Sequence, residues 1–211
     1  MIVHLCSILE VPLRNRNDIL LAAGYAPRYS HVAINDHITS TVRDAIDMVV
    51  NAHVFPAVVV DSNWDLVTSN QAAAIFLDGV AGHLLEPPTN VIRLTLHYDG
   101  LARRIVNFDE YATHVIARMK RSTAHHPSER LDALIDEFGH LASRLADTQR
   151  PGILLPLELS TQNGIIRLFS TITTFGSPHD VTLEELAIET FYPADSASRA
   201  ALETIAAPMG D

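Results

Sequence analysis

The sequence predicts an α+β fold, with a single antiparallel five-stranded sheet, helices gathered on one face, and a short helical segment in front. Three observations predict it. Apolar runs at 57–61 and 64–69 flank a Ser62-Asn63 turn, helical periodicity fills 108–145, and two apolar runs meet at Asn163-Gly164 with a final one at 186–192. A hairpin, then several helices, then three antiparallel strands is the order of an α+β domain.

Taken in order, Leu5, Ile8 and Leu9 recur at i, i+3, i+4, and 18–23 is a second helical pattern stopped by Gly24. Two such short helices bury little of each other and read as part of something larger. Residues 38–50 read as an amphipathic connector helix carrying Val42, Ala45, Ile46 and Val49, with Asp36 or Thr39 as N-cap. After the first hairpin, Asn70 caps a short Ala-rich helix that ends near Gly79, and Pro87, Pro88 and Gly100 break 82–101 into short turns. Asn107 with Glu110 makes a capping box for a helix over 108–121. Its buried face is Phe108, Tyr111, Ala112, Val115 and Met119, and its polar stripe is His114, Arg118 and Arg121. Ser128 caps the next helix, after a break at His125-His126-Pro127 and before a stop at Pro151-Gly152. An Asn163-Gly164 turn then sets Leu159 against Leu168 and Leu157 against Ser170. Leu155, Leu157, Leu159, Ile166, Leu168 and Ile172 share one face in that register. Residues 196–205 form a weak C-terminal helix.

Composition narrows the function. An apolar share of 47% excludes overall disorder. Fifteen basic against twenty-five acidic residues give a net charge of −10, which disfavours unaided binding to nucleic acid or an anionic membrane. No apolar run is long enough to span a bilayer, and the first residues lack a basic leader and a cleavage site. Cys6 is the only cysteine, so the chain has no intrachain disulfide, and a reducing, cytoplasmic setting is expected. The Cys6 thiol is expected to be buried and inert.

Chemistry-bearing patterns are sparse. Eleven histidines invite a metal, but none sits at the His-Glu-x-x-His spacing that places two ligands on one helical face, and no bound metal is expected. There is no Gly-x-Ser-x-Gly elbow and no phosphate-binding loop. No catalytic residue is assigned and no enzyme is expected; an enzyme using His97 or His114 is required by no spacing. What remains is an aliphatic sheet face under helices that carry arginine, asparagine and histidine. It is either a packed core or a cavity for an apolar ligand with a polar head.

Particular segments carry a resemblance. Val58-Val59-Val60-Asp61, a turn, Trp64-Asp65-Leu66-Val67, then Asn70-Gln71-Ala72-Ala73, Leu77 and Gly79 resemble the opening of a PAS domain. More specifically, the segments 55–64 (beginning Phe55-Pro56-Ala57), 88–97 (Pro88-Thr89-Asn90), 101–107, 169–176 and 180–189 resemble the MmyB-like ligand-binding domain of bacterial transcription regulators. That likeness runs over about 55–194. The front, from Leu5-Cys6 through Arg14, Arg16 and Asn17 to Gly24 and Pro27, is similar to the end of a Cro/C1-type helix-turn-helix domain. The resemblance implies three parts: a helix-turn-helix remnant over 1–30, a connector helix over 31–54 and a PAS-like ligand-binding domain over 55–211.

It further implies a sensor that holds a long-chain fatty acid or similar lipid in its interior, with no other cofactor. DNA would be met only through a helix-turn-helix placed before Met1, and homodimers on palindromic sites are expected. For the ligand's head the resemblance points to Arg93, Arg104 and Arg118, with Asn90, Asn107 or His114 adding hydrogen bonds. For its tail the candidates are Phe76, Leu84, Leu94, Val115, Met119, Leu157, Leu168 and Ile172. Taken singly, each arginine suits a surface ion pair with Asp99, Asp109 or Glu110 better than a ligand's head, and each apolar residue suits plain core equally well. The alternative function is a ligand-free dimerisation or partner-binding module with a solid core.

Overall fold

Five strands pair antiparallel throughout in the order β2-β1-β5-β4-β3, so the last strand of the chain lies at the centre of the sheet. They are β1 (Ala57–Val60), β2 (Leu66–Ser69), β3 (Leu157–Thr161), β4 (Gly164–Thr174) and β5 (Ala187–Pro193). This is the α+β class and the single PAS-like sheet that the sequence implies. The computed structural model describes residues 1–29, 40–125, 128–142, 155–175 and 181–206. The expected caps at Asp36 or Thr39, the break at His126-Pro127 and the stop at Pro151-Gly152 lie outside the described residues.

Alternation along β1 and β5 sorts the core onto two faces. Val59 and Ile188, which pair across the two strands, pack with Ile46, Val50 and Leu186 beneath the helix α3 (Ser40–Asn51). Val58, Val60 and Glu189 face the other way. There the helices α4 (Val91–Leu96), α5 (Phe108–His125) and α6 (Glu129–Phe138) join Val60 in a cluster around Ile92, Ala112, Ile116, Met119 and Leu131. The helices that matter for the site thus gather on one face as expected, while α3 covers the opposite one.

The first turn is tightly fixed. Asp61 Oδ1 accepts from the backbone N–H groups of Asn63 and Asp65 at 2.8 and 2.9 Å, and Trp64 takes a left-handed conformation with φ of 65°. A bulky residue rarely adopts that region, so the turn is held by its surroundings. Asn70 then caps the 3-10 helix Gln71–Phe76, accepting from Ala73 N–H, as its position predicts. Ser128 caps α6 in the same way.

Two expectations about local structure change. The β3-β4 loop is Gln162-Asn163, with Thr161 opposite Gly164 and Leu157 opposite Leu168. The Thr161 hydroxyl closes this turn, accepting from Asn163 N–H and donating to the Gly164 carbonyl. The slip is two residues from the expected pairing. Because side chains alternate with period two, the buried face survives it: Leu157, Leu159, Ile166 and Leu168 are all buried. Ile172, further along β4, is 48% exposed. Second, α5 runs to His125, past the expected end at 121, and the Asn107 side chain does not cap it. Asn107 instead donates to the Pro156 carbonyl and accepts from Glu158 N–H, tying the start of α5 to β3.

At the front, α1 (Ile2–Ile8) and α2 (Leu13–Ala22) bury Cys6, Leu13 and Leu20, while Leu5, Ile8 and Leu9 stay exposed. Of the two, α2 docks on the short helix α7 (Val181–Glu184) and the residue after it. Leu13 N–H donates to Glu184 at 2.7 Å, and Arg14 Nη2 donates to Glu185 at 2.8 Å. The C-terminal helix α8 (Ser196–Ala206) packs on β4 and β5.

Candidate functional site

Between the inner face of the sheet and the helices α4 and α5 lies a cavity of about 110 Å³. Its walls come from several parts of the chain. The sheet gives Val58, Leu66, Leu157 and Phe191; the 3-10 helix after β2 gives Ala73 and Phe76 with Leu77 beside it; α4 gives Val91, Ile92, Leu94 and Thr95; α5 gives Tyr111 and Val115; and Leu101 closes the set. Leu77 is 45% exposed and Ser69 is exposed, which places the mouth between the end of β2 and the 3-10 helix.

One end of this apolar space is polar. Arg118 projects from α5 and Glu189 from β5, and both line the cavity. Arg118 Nη1 and Nη2 donate to the two carboxylate oxygens of Glu189 at 2.8 and 3.2 Å. The guanidinium carbon also sits 4.2 Å from the ring centroid of Trp64, a cation–π contact that fixes the plane of the fork. Glu189 is buried, and a buried carboxylate needs such a partner, because desolvation otherwise costs more than the fold can spare. The left-handed turn at Trp64 therefore has a purpose: it lays the indole under Arg118.

Tyr111 stands one and two turns before Val115 and Arg118 on the same helix, and its ring lines the cavity. Among the described residues its hydroxyl has no hydrogen-bond partner. Burial, reinforced by the Glu189 carboxylate, pushes the phenol's pKa up, so it remains a protonated donor. An orphan donor beside a charge-neutral ion pair, at the end of an apolar cavity, suits a ligand with a compact polar head.

The structure divides the expected site residues. Phe76, Leu94, Val115, Arg118 and Leu157 come together in the cavity. Leu84, Met119 and Leu168 are buried outside its walls, the last two in the packed clusters. The remaining head-group candidates are used elsewhere. Arg93 pairs with Glu137 at 2.6 Å at the surface. Arg104 donates to the carbonyls of Ile75, Asp78 and Ser160, clamping the 3-10 helix to β3. Asn90 caps α4 and donates to Asp65 and to the Asn63 carbonyl. Asn107 lies by a second hollow, lined also by Asp109, Glu110 and Glu158, whose acidity repels a carboxylate head. His114 sits one turn before Arg118 outside the cavity, and partial burial with Arg118 and Arg121 nearby lowers its pKa.

Sequence reasoning missed Glu189, Trp64 and Tyr111 as members of the site. The signal for Glu189 was present: a lone acid inside the otherwise apolar β5 run, on the face that points inward. A further group of metal-ligating type, His83, His97 and Asp99, lies at the far end of α4. The test by helical spacing does not see it, because its members come from a 3-10 turn and a helix end.

Among the described residues, no helix is long and apolar enough to cross a membrane. A comparison with curated proteins returns no match. Residues 42–205, however, match the family described as MmyB-like transcription regulator ligand binding domain, a stretch that takes in most of α3 as well as the whole sheet. With well over half of its length inside that match, and with an apolar cavity at the centre of the matched fold, the chain belongs to this family of regulator ligand-binding domains.

Proposed function

We propose that the chain is the non-enzymatic sensor of a cytoplasmic transcription regulator, and that it binds a fatty-acid-like apolar molecule with its head at Arg118 and Tyr111. The observation that carries this is the unpaired Tyr111 hydroxyl beside the Arg118–Glu189 pair on the wall of an apolar cavity. The cavity is small against the roughly 300 Å³ or more of most ligand sites, so only the head and the first carbons fit inside it as it stands. A longer chain passes through the mouth at Leu77 or pushes Phe76 and Phe191, now edge to face at 4.8 Å, apart. That displacement is what a sensor needs, since a ligand shifts a protein only through contacts that differ between its states.

A carboxylate head has to share Arg118 with Glu189, whereas a hydroxyl or amide head adds to the pair without competing. The signal would leave through β1 and β5, whose other face carries α3, toward the helix-turn-helix that the resemblance of the front segment implies. Met48, 73% exposed on α3, is available to a second subunit in a homodimer. Sedimentation gives the dimer its check, and a strictly monomeric chain removes it.

The test of the ligand reading is mass spectrometry of organic extracts from native protein, joined to thermal shift with fatty acids and fatty alcohols. A co-purified lipid or a chain-length-dependent rise in Tm supports it. Tyr111→Phe should lower affinity about three- to tenfold with little change in the unliganded Tm, the scale of one lost hydrogen bond. Neither a lipid nor any shift would leave the solid-core module as the better reading.

A further inference from the structure

The helix α4 that walls the cavity ends in a cluster for which the sensor reading has no use. His83 is the middle residue of the 3-10 turn Gly82–Leu84, His97 is the C-cap of α4, and Asp99 follows two residues later. One potential ligand atom from each lies within 4.8 Å of the others. The two imidazoles meet edge to face with centroids 5.7 Å apart. Among the described residues Asp99 has no lysine or arginine partner; its one ion-pair contact is His97 Nδ1 at 3.9 Å.

Backbone hydrogen bonds beneath the cluster tie its two segments together. Ala81 N–H donates to the Asp99 carbonyl, Gly100 N–H to the His97 carbonyl and Leu101 N–H to the Leu94 carbonyl, each at 2.9 Å. Gly100 presses so closely on the Leu94 carbonyl oxygen that a Cβ there would collide with it. His83, His97 and Asp99 are therefore held on two segments that are tied together before any ligand arrives.

We propose that His83, His97 and Asp99 bind a divalent transition-metal ion of the zinc type. Two imidazole nitrogens and one carboxylate oxygen form a donor set that zinc and its neighbours in the series accept, whereas magnesium and calcium favour oxygen donors throughout. Bonds of about 2.0–2.2 Å put the donor atoms roughly 3.3 Å apart, so the side chains close in by up to about 1.5 Å, and exposed His83 has the room to move. His97 coordinates through Nδ1, the atom facing Asp99, and gives up the bond it accepts from Asp99 N–H at 3.0 Å. Water fills the remaining positions, because the cluster lies at the surface. An ion there ties the 3-10 turn to α4 and stiffens the wall that Val91, Ile92, Leu94 and Thr95 give the cavity. The site stands independently of what the cavity binds.

The experiment titrates the full chain with zinc, nickel and magnesium chlorides in a non-chelating buffer, read by calorimetry and by Tm. One equivalent of zinc should bind and raise Tm, and magnesium should do neither. His83→Ala and His97→Ala, checked for folding by circular dichroism, should each weaken zinc binding by at least about tenfold. Asp99→Asn should weaken it as well, and His53→Ala and His140→Ala should leave it unchanged. Zinc binding that never saturates, that survives loss of His83 and His97, or that the two control variants abolish equally would overturn the assignment.

Discussion

Arg118 carries more of the site than any other side chain, because it answers a buried acid, stacks on the indole of Trp64 and faces the cavity at once. Arg118→Ala leaves Glu189 unpaired in a dry interior and should cost about 3 kcal/mol of stability in denaturant titration. Glu189→Gln is the informative counterpart. It frees the guanidinium, so a fatty acid should then raise Tm more than it does in the unsubstituted chain, while a fatty alcohol should not. Equal gains for both ligands would show that the head group does not meet Arg118. His114 gives a pH dependence of definite sign. Partial burial and the nearby Arg118 and Arg121 depress its folded pKa below the usual 6.5, so the unfolded chain takes up protons first. Stability is therefore full above about pH 6.5 and falls as the pH drops toward the folded pKa, and His114→Gln should flatten that slope. Asp61, raised by burial, acts with the opposite sign.

At the scale of elements, the fold depends on asparagines that close the joints between strands and helices. Asn70 accepts from Ala57 N–H and Ala73 N–H and donates to the carbonyls of His53 and Phe55, joining the end of α3, the start of β1 and the 3-10 helix. Asn70→Ala strands several of these groups and should cost about 2–4 kcal/mol, measured by chemical denaturation, well above an ordinary lost cap. Caps of this kind were legible at Asn70 and Ser128, since donor and acceptor lie within three residues of each other. Asn107 was read as a cap by the same logic and misassigned, because its true partners on β3 are about fifty residues away. The β3-β4 pairing shows the same limit. Alternation fixes which side chains are buried, but a slip of two residues leaves the alternation intact, and the observed register is the one in which the Thr161 hydroxyl closes the turn.

For the whole molecule, the apolar pattern predicted one sheet and its helices correctly, yet it did not separate cavity wall from packed core. Val115 and Met119 sit one turn apart on the same face of α5 and belong to one buried cluster, yet only the first also lines the cavity. Both positions obey one helical period, and nothing local distinguishes them. The polar end was half legible for the same reason. Arg118 lies in a visible stripe along α5, while its partner Glu189 is 71 residues away on the strand that folds into the centre of the sheet. The net charge of −10 keeps its meaning at this scale: it disfavours unaided binding to DNA, and the family match is to the ligand-binding domain of a regulator. The chain's only tryptophan, Trp64, lines the cavity beneath Arg118, so its fluorescence reports on the site directly. Titration with fatty acids and alcohols of increasing length should give a saturable change in Trp64 emission and a rise in Tm, and Val115→Trp, which fills the cavity, should abolish the rise in Tm. Emission that stays constant across the series, together with an unchanged Tm, would contradict a ligand site in this domain.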